Sequence, residues 1–251
     1  MQRDFTLKTY RQLLVKLKSH DYKISTCENY MKNHYKGKQI AVLRHDVDKR
    51  PQNALKMAHL ESEIGIKSTY YFRIVRQSND PDIIMQIAGL GHEIGYHYED
   101  LTLSKGNYEL AITNFKENLN YFRSFYPVQT ICMHGSPLTQ WDNKDIWNEI
   151  DYKDYGIIGE PYFDIDYQNV AYLTDTGRKW NALNENIRDK VESPFTFDFK
   201  STFDVMDALN TMVLPNIILI STHPQRWTNS KIFWLSELIM QRSKNIIKRL
   251  I

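Results

Sequence analysis

The sequence is short of cysteine: two thiols, Cys27 and Cys132, in 251 residues. They form no Cys-x-x-Cys pair, so a disulfide framework and a thiolate metal cluster are both excluded, and they read as free thiols in a reducing compartment. An excess of charge is also missing, with 32 Lys and Arg against 30 Asp and Glu. The basic residues are scattered, and the mildly basic stretch Arg242 to Arg249 reads as a solvated helix face, so nucleic acid is not an expected partner. No apolar run approaches the ~20 residues that span a bilayer. The opening stretch MQRDFTLKTYRQLLVKLKSH is charged throughout and lacks the apolar core of a signal peptide, which sets the expectation of a cytoplasmic protein. Ten glycines and eight prolines are too few for a collagenous or low-complexity chain. What is present is a 42% hydrophobic share, enough for a sizeable core. The length suits one α/β barrel, read as a single domain over 1–251 with an N-terminal helical extension at about 1–38.

Apolar periodicity predicts strands and helices in alternation. Helical spacing covers 4–20. The run Ile40–Leu43 is a buried strand ending in Arg44-His45-Asp46-Val47-Asp48, and Pro51 opens a helix that Gly65 closes. Strands are expected at 68–74, 92–96, 129–133, 155–158, 170–173 and 216–221, and helices at 81–90, 107–125, 203–212 and 231–251. This alternation implies parallel strands joined by helical crossovers, six or seven in all, in a distorted (β/α) barrel. Reactive groups in such folds gather at the C-terminal ends of the strands. Five of the eight histidines, His45, His92, His97, His134 and His223, fall in or just after predicted strands, which points to one shared site.

Side chains two apart on a strand share a face. Arg44, Asp46 and Asp48 therefore face one way, His45 and Val47 the other. Two carboxylates this close need a proton or a cation between them. A divalent metal fits, leaving one carboxylate as ligand and the other as base; the alternative is a pair of Asp capping the helix at Pro51. In Gly91-His92-Glu93-Ile94-Gly95-Tyr96-His97, His92 and His97 fall on opposite faces. His97, at the strand end, is the expected metal ligand, and His92 reads as a packed, hydrogen-bonded histidine. An Asp/His set with an open position suits zinc foremost. His223, just past a buried strand, is placed to protonate a leaving amine; a plain loop histidine beside Pro224 is the alternative.

These residues carry a resemblance. His45-Asp46-Val47-Asp48 is similar to the first motif of the polysaccharide deacetylase (NodB-homology) family of carbohydrate esterases, Gly91–His97 to its second, and Ile217–His223 to its fifth. The resemblance covers roughly 40–225. It implies a distorted (β/α) barrel with Asp46 as general base, Asp48 as metal ligand and His223 as general acid. Two departures stand out. The family's second metal histidine falls at Leu101, for which His134 is the candidate substitute, with Glu99 and Asp100 as alternatives. The family's third-motif arginine is replaced by Met133-His134-Gly135-Ser136-Pro137, so Arg44 or Arg178 is expected to pair with Asp46. Arg44, Glu160, Asp175, Arg178 and Trp180 are expected to form a substrate wall, aromatic faces stacking on sugar rings and acids meeting hydroxyls. Packing of Tyr162, Tyr172 and Trp180 into core gaps is the alternative. The expected activity is metal-dependent removal of an N-acetyl group from a sugar, on a nucleotide- or lipid-linked saccharide of surface-polysaccharide assembly. The rivals are a carbohydrate-binding protein with an impaired site and an amidohydrolase acting on a non-sugar amide.

Overall fold

In a computed structural model the described residues are 3–33, 35, 37–136, 139–180 and 189–248. Their strands are β1 (Lys23–Ser25), β2 (Ile40–Val47), β3 (Thr69–Phe72), β4 (Glu93–Tyr98), β5 (Ile131–Met133), β6 (Ala171–Thr174) and β7 (Ile217–Thr222). Their helices are α1 (Leu7–Ser19), α2 (Cys27–Lys32), α3 (Pro51–Glu63), α4 (Pro81–Gly89), α5 (Asp100–Leu103), α6 (Tyr108–Arg123), α7 (Pro161–Asp164), α8 (Thr202–Asn210) and α9 (Lys231–Lys248). The last three residues of the helix expected over 231–251 lie outside the described residues.

Every described strand pair is parallel, in the order β5-β4-β3-β2-β7-β6, the path of a half-barrel wrapped by helices. β2 sits at its centre and is buried along its whole length, as expected of a parallel strand covered on both faces. Its residues 40–45 pair with β7. Along its other edge, β1 takes Ile40–Val42 and β3 takes Arg44–Val47. That divided edge distorts the barrel. β1 lies within the stretch expected to be a helical extension, and its three residues are too few for periodicity to register.

Alternation sorts the core. Val42, Tyr71, Cys132, Tyr172 and Leu219 fill the barrel interior. Outward-facing Tyr70, Phe72, Ile94 and Tyr96 pack on Ala54 and Ala58 of α3 and Phe115 and Phe122 of α6, while Ala41, Leu43 and Ile220 pack on Leu13 and Leu17 of α1 and Val205 of α8. Helix starts follow local chemistry: Thr6 caps α1 by accepting from Thr9 N at 3.1 Å, and Pro51 takes the first turn of α3. The strand expected at 155–158 is replaced by a 3-10 turn, Tyr152–Tyr155, because Asp151 caps it and Gly156, at φ +70°, ends it in the left-handed region. Only a single parallel bridge, Thr130 to Gly159, follows. Among the described residues no helix is long and apolar enough to cross a membrane.

Candidate metal and acid–base site

The C-terminal ends of the strands surround an open cleft of about 690 Å³ lined by Asp46, Asp48, His97, His134 and His223. Arg44 and Asp46 point inward from β2. Arg44 donates from Nε to Asp46 Oδ1 at 2.8 Å and from Nη2 to Oδ2 at 2.7 Å. Burial alone would raise the Asp46 pKa; the bidentate guanidinium, helped by His97 and His223, outweighs it and holds Asp46 well below the usual carboxylate range. Of the two arginines expected to pair with Asp46, Arg44 does so.

Asp48 follows at the mouth of the barrel. Its Oδ1 is buried without a hydrogen-bond partner and lies 3.8 Å from His97 Nε2 and 3.5 Å from His134 Nε2. Ligand bonds of about 2.1 Å in tetrahedral array put donor atoms about 3.4 Å apart, so these spacings suit a shared ion. Both rings are held from behind. His97 Nδ1 is 2.8 Å from the carbonyl oxygen of Cys132, and His134 Nδ1 is 2.9 Å from Glu99 Oε2. Such outer partners fix the tautomer that leaves Nε2 free to ligate. Burial pushes the His97 pKa down to about 4, keeping its imidazole in the neutral, metal-binding form.

Asp46, His97 and Cys132 also approach one another closely enough to hold an ion. Chemistry disfavours that set. Both Asp46 oxygens are engaged by Arg44, and burial pushes the Cys132 thiol pKa well up, whereas a thiolate is what binds metal. The donors Asp48, His97 and His134 fit a divalent ion of the zinc type better. Leu101 is buried in the outer apolar layer, turned from the cleft, and His134, just past the end of β5, is the second imidazole beside Asp48.

His223, after β7, holds its Nε2 4.0 Å from Asp48 Oδ2. Its Nδ1 is 2.7 Å from Asp175 Oδ1. Asp175 is fully buried and also accepts from His223 N, Trp227 Nε1 and an Arg226 Nη1. Burial lowers the His223 pKa and Arg226 adds to that; Asp175 more than offsets them, leaving it raised.

The substrate wall needs correction at four positions. Asp175 lies behind His223, its oxygens consumed by four donors, and orients that ring. Glu160 is fully buried, accepting from Met133 N at 2.9 Å and from Tyr162 N at the start of α7; it is a helix cap. Arg178 lies over the rings of Phe5 and Trp234, and Trp180 packs on Trp227 while donating to Thr202 Oγ1 at 3.0 Å. Both belong to the layer outside the sheet, because the connection after β6 turns outward through Gly177 at φ +77°. Arg44 stays inside, though bound to Asp46. The cleft wall comprises residues that the sequence did not single out, among them Arg73, Gln225, Asp189 and, from α9, Glu237 and Lys244. Arg73 grips Glu99 with two hydrogen bonds of 2.7 Å, and Gln225 donates to Asp48 Oδ2 at 3.0 Å.

His45 and His92 face outward, as alternation requires. His92 Nδ1 accepts from Ser68 N at 3.2 Å and its Nε2 faces Ala58 O at 3.0 Å. His45 bridges Glu61 Oε1 at 2.8 Å and Thr222 Oγ1 at 2.6 Å. Glu61 also accepts from Tyr10, Ser68 and Tyr70.

No family model matches the chain, and no curated protein matches it. Solved structures do. A CE4 family pseudoenzyme from Bacillus anthracis superposes with a TM-score of 0.43 at 11% identity, covering 82% of this chain and 61% of its own. A family 4 carbohydrate esterase from Bacillus anthracis gives 0.42 at 12% identity over 93% of this chain and 84% of its own. PdaA of Bacillus subtilis, a family 4 carbohydrate esterase, gives 0.43 at 12% over 93% and 83%. Two of these neighbours are family 4 carbohydrate esterases and the third is a pseudoenzyme of that family. This chain spans less than two thirds of the pseudoenzyme's length, and likeness at this level assigns no residue a role.

Proposed function

We propose that the protein is a metal-dependent hydrolase that removes an N-acetyl group from a sugar. The observation that carries the reading is the buried, unpartnered Asp48 Oδ1 facing two imidazole nitrogens, with Asp46 on one side and His223 on the other. Asp48, His97 and His134 would hold the ion, zinc by the chemistry of the donors. A divalent metal there would supply a Lewis acid for the acetyl carbonyl and would acidify water, lowering its pKa from about 16 towards 7. Asp46, kept ionised by Arg44, is the group that would accept the proton of the attacking water. A carboxylate held this low is a weak base and needs an acidified partner, so the two features belong together. His223, oriented by Asp175 and with its pKa raised, delivers a proton to the departing amine nitrogen. The cleft, at about 690 Å³, falls in the usual range for small-ligand sites. The sequence resemblance at His45–Asp48 and Gly91–His97 supplies the substrate class.

The test pairs elemental analysis with acetate release from N-acetylhexosamine substrates. Asp46→Asn keeps its metal and loses turnover by about 10²–10⁴-fold, the usual worth of a general base; Asp48→Asn loses both. Full turnover in Asp46→Asn, or wild-type protein that takes up no zinc, refutes the reading.

A further inference from the structure

α9 is built inside out. Its inward stripe is tied down by polar contacts: Trp234 Nε1 donates to Asp4 O at 2.6 Å, Glu237 meets Lys49 Nζ at 3.1 Å, and Asn245 Nδ2 donates to Gly177 O at 3.1 Å. These residues, with Gln241, recur at helical spacing on the protein side. Trp234, Leu238 and Met240 are half-buried, yet the outer stripe carries further apolar residues: Ile232 is 79% exposed, Leu235 52% and Ile239 58%. Soluble helices show the reverse arrangement. Phe233, beside the stripe, lies under the Arg50 guanidinium at 5.1 Å. Exposed Lys231 and Arg242 stand at the two ends of the stripe, and the helix's acidic residue, Glu237, is buried and paired. Among the described residues, then, the outer face of α9 shows aliphatic and basic side chains with two exposed serines, Ser236 and Ser243, and displays no acid.

We propose that this face of α9 seats the protein on an anionic lipid surface. Apolar side chains flanked by lysine and arginine are what a headgroup boundary accepts, the aliphatic groups entering the acyl edge and the cations meeting lipid phosphates. A second copy of the chain would set Lys231 and Arg242 against like charges, with no outward acid on α9 to neutralise them. The inner face of the same helix lines the cleft through Glu237, Gln241 and Lys244, so a bilayer under α9 lies beside the site. The surface stands apart from the hydrolase reading, because binding is measured without turnover.

The experiment is co-sedimentation with vesicles of phosphatidylcholine alone and of phosphatidylcholine mixed with phosphatidylglycerol. Wild-type protein goes down with the mixed vesicles and is released by salt. Ile232→Glu/Ile239→Glu and Lys231→Glu/Arg242→Glu each reduce the bound fraction by about tenfold, with unchanged melting temperature because the four side chains are exposed. Wild-type protein left in the supernatant at low salt overturns the proposal. So does equal binding by the Ile232→Glu/Ile239→Glu variant, or a wild-type dimer in sedimentation velocity that this variant makes monomeric.

Discussion

Glu99 offers the sharpest test of the proposed metal site, because it would act on an ion there only through His134. Its carboxylate is buried, takes two hydrogen bonds from Arg73 and faces His134 Nδ1 at 2.9 Å. Glu99→Gln keeps the volume and deletes the charge. The amide has one oxygen, so it satisfies either Arg73 or the imidazole N–H, and in the second case its NH2 group is turned towards the guanidinium. Either way His134 loses a charged acceptor that fixes its Nε2 towards Asp48. Loss of such an outer partner weakens metal affinity by about 10–100-fold, equivalent to about 1.4–2.7 kcal/mol. Zinc titration against a chelating dye reads the affinity, and melting of the metal-free protein reads the structural share separately. Arg73, 18% exposed, recovers water contact when its partner is lost, so the metal-free melting temperature falls only slightly. Affinity within threefold of wild type would refute the role of Glu99 in holding the His134 ring for a metal. A large fall in metal-free stability with unchanged affinity would make Glu99 a purely structural anchor.

Two further outcomes follow from the packing. A methyl group at Gly95 would meet the Tyr71 ring at 2.3 Å and the Thr130 carbonyl oxygen at 2.9 Å. Tyr71 cannot swing away freely, because its hydroxyl donates to Thr130 Oγ1 at 2.8 Å. Gly95→Ala therefore costs about 1–3 kcal/mol, the range for overpacked cores, read by denaturant titration; a neutral substitution would mean the interior has slack. Burial pushes the Asp100 pKa up to about 7, so between about pH 4 and pH 7 the unfolded carboxyl sheds its proton while the folded one keeps it. Stability then falls as pH rises through that window, by up to about 4 kcal/mol at 1.36 kcal/mol per unit. Asp100→Asn, which still accepts from Tyr96 and Asn118, flattens the fall; an unchanged pH profile of chemical denaturation refutes that account.

The parallel α/β architecture was legible because β2 and β7 are apolar runs ending in polar residues, with helical periodicity between the strands. The split of Arg44 and Asp46 from His45, and of His97 from His92, followed from two-residue alternation alone and stands in the structure. His134 enters as a candidate only through Leu101, which cannot ligate, and it stands 3.5 Å from Asp48 Oδ1. The errors have a common origin. Asp175, Glu160, Arg178 and Trp180 were placed by lying in late connections, yet loop direction is set by backbone turns such as Gly177 and by distant partners such as Phe5 and Trp227. Arg73 and Glu99 form a pair 26 positions apart in sequence, with no local pattern to announce it. α9 was periodic enough to be read as a helix, but which stripe faced water depended on Lys49 and Gly177, far along the chain.

The knot around Glu61 has a mechanical consequence. His45 and Thr222 are register partners on β2 and β7, and each directly precedes a residue proposed to move a proton, Asp46 and His223. Sliding one strand past the other would tear a row of buried hydrogen bonds on the back of the sheet. The gap between proton acceptor and proton donor is thereby clamped from behind, and adjustment to an incoming substrate falls to the connections at the rim.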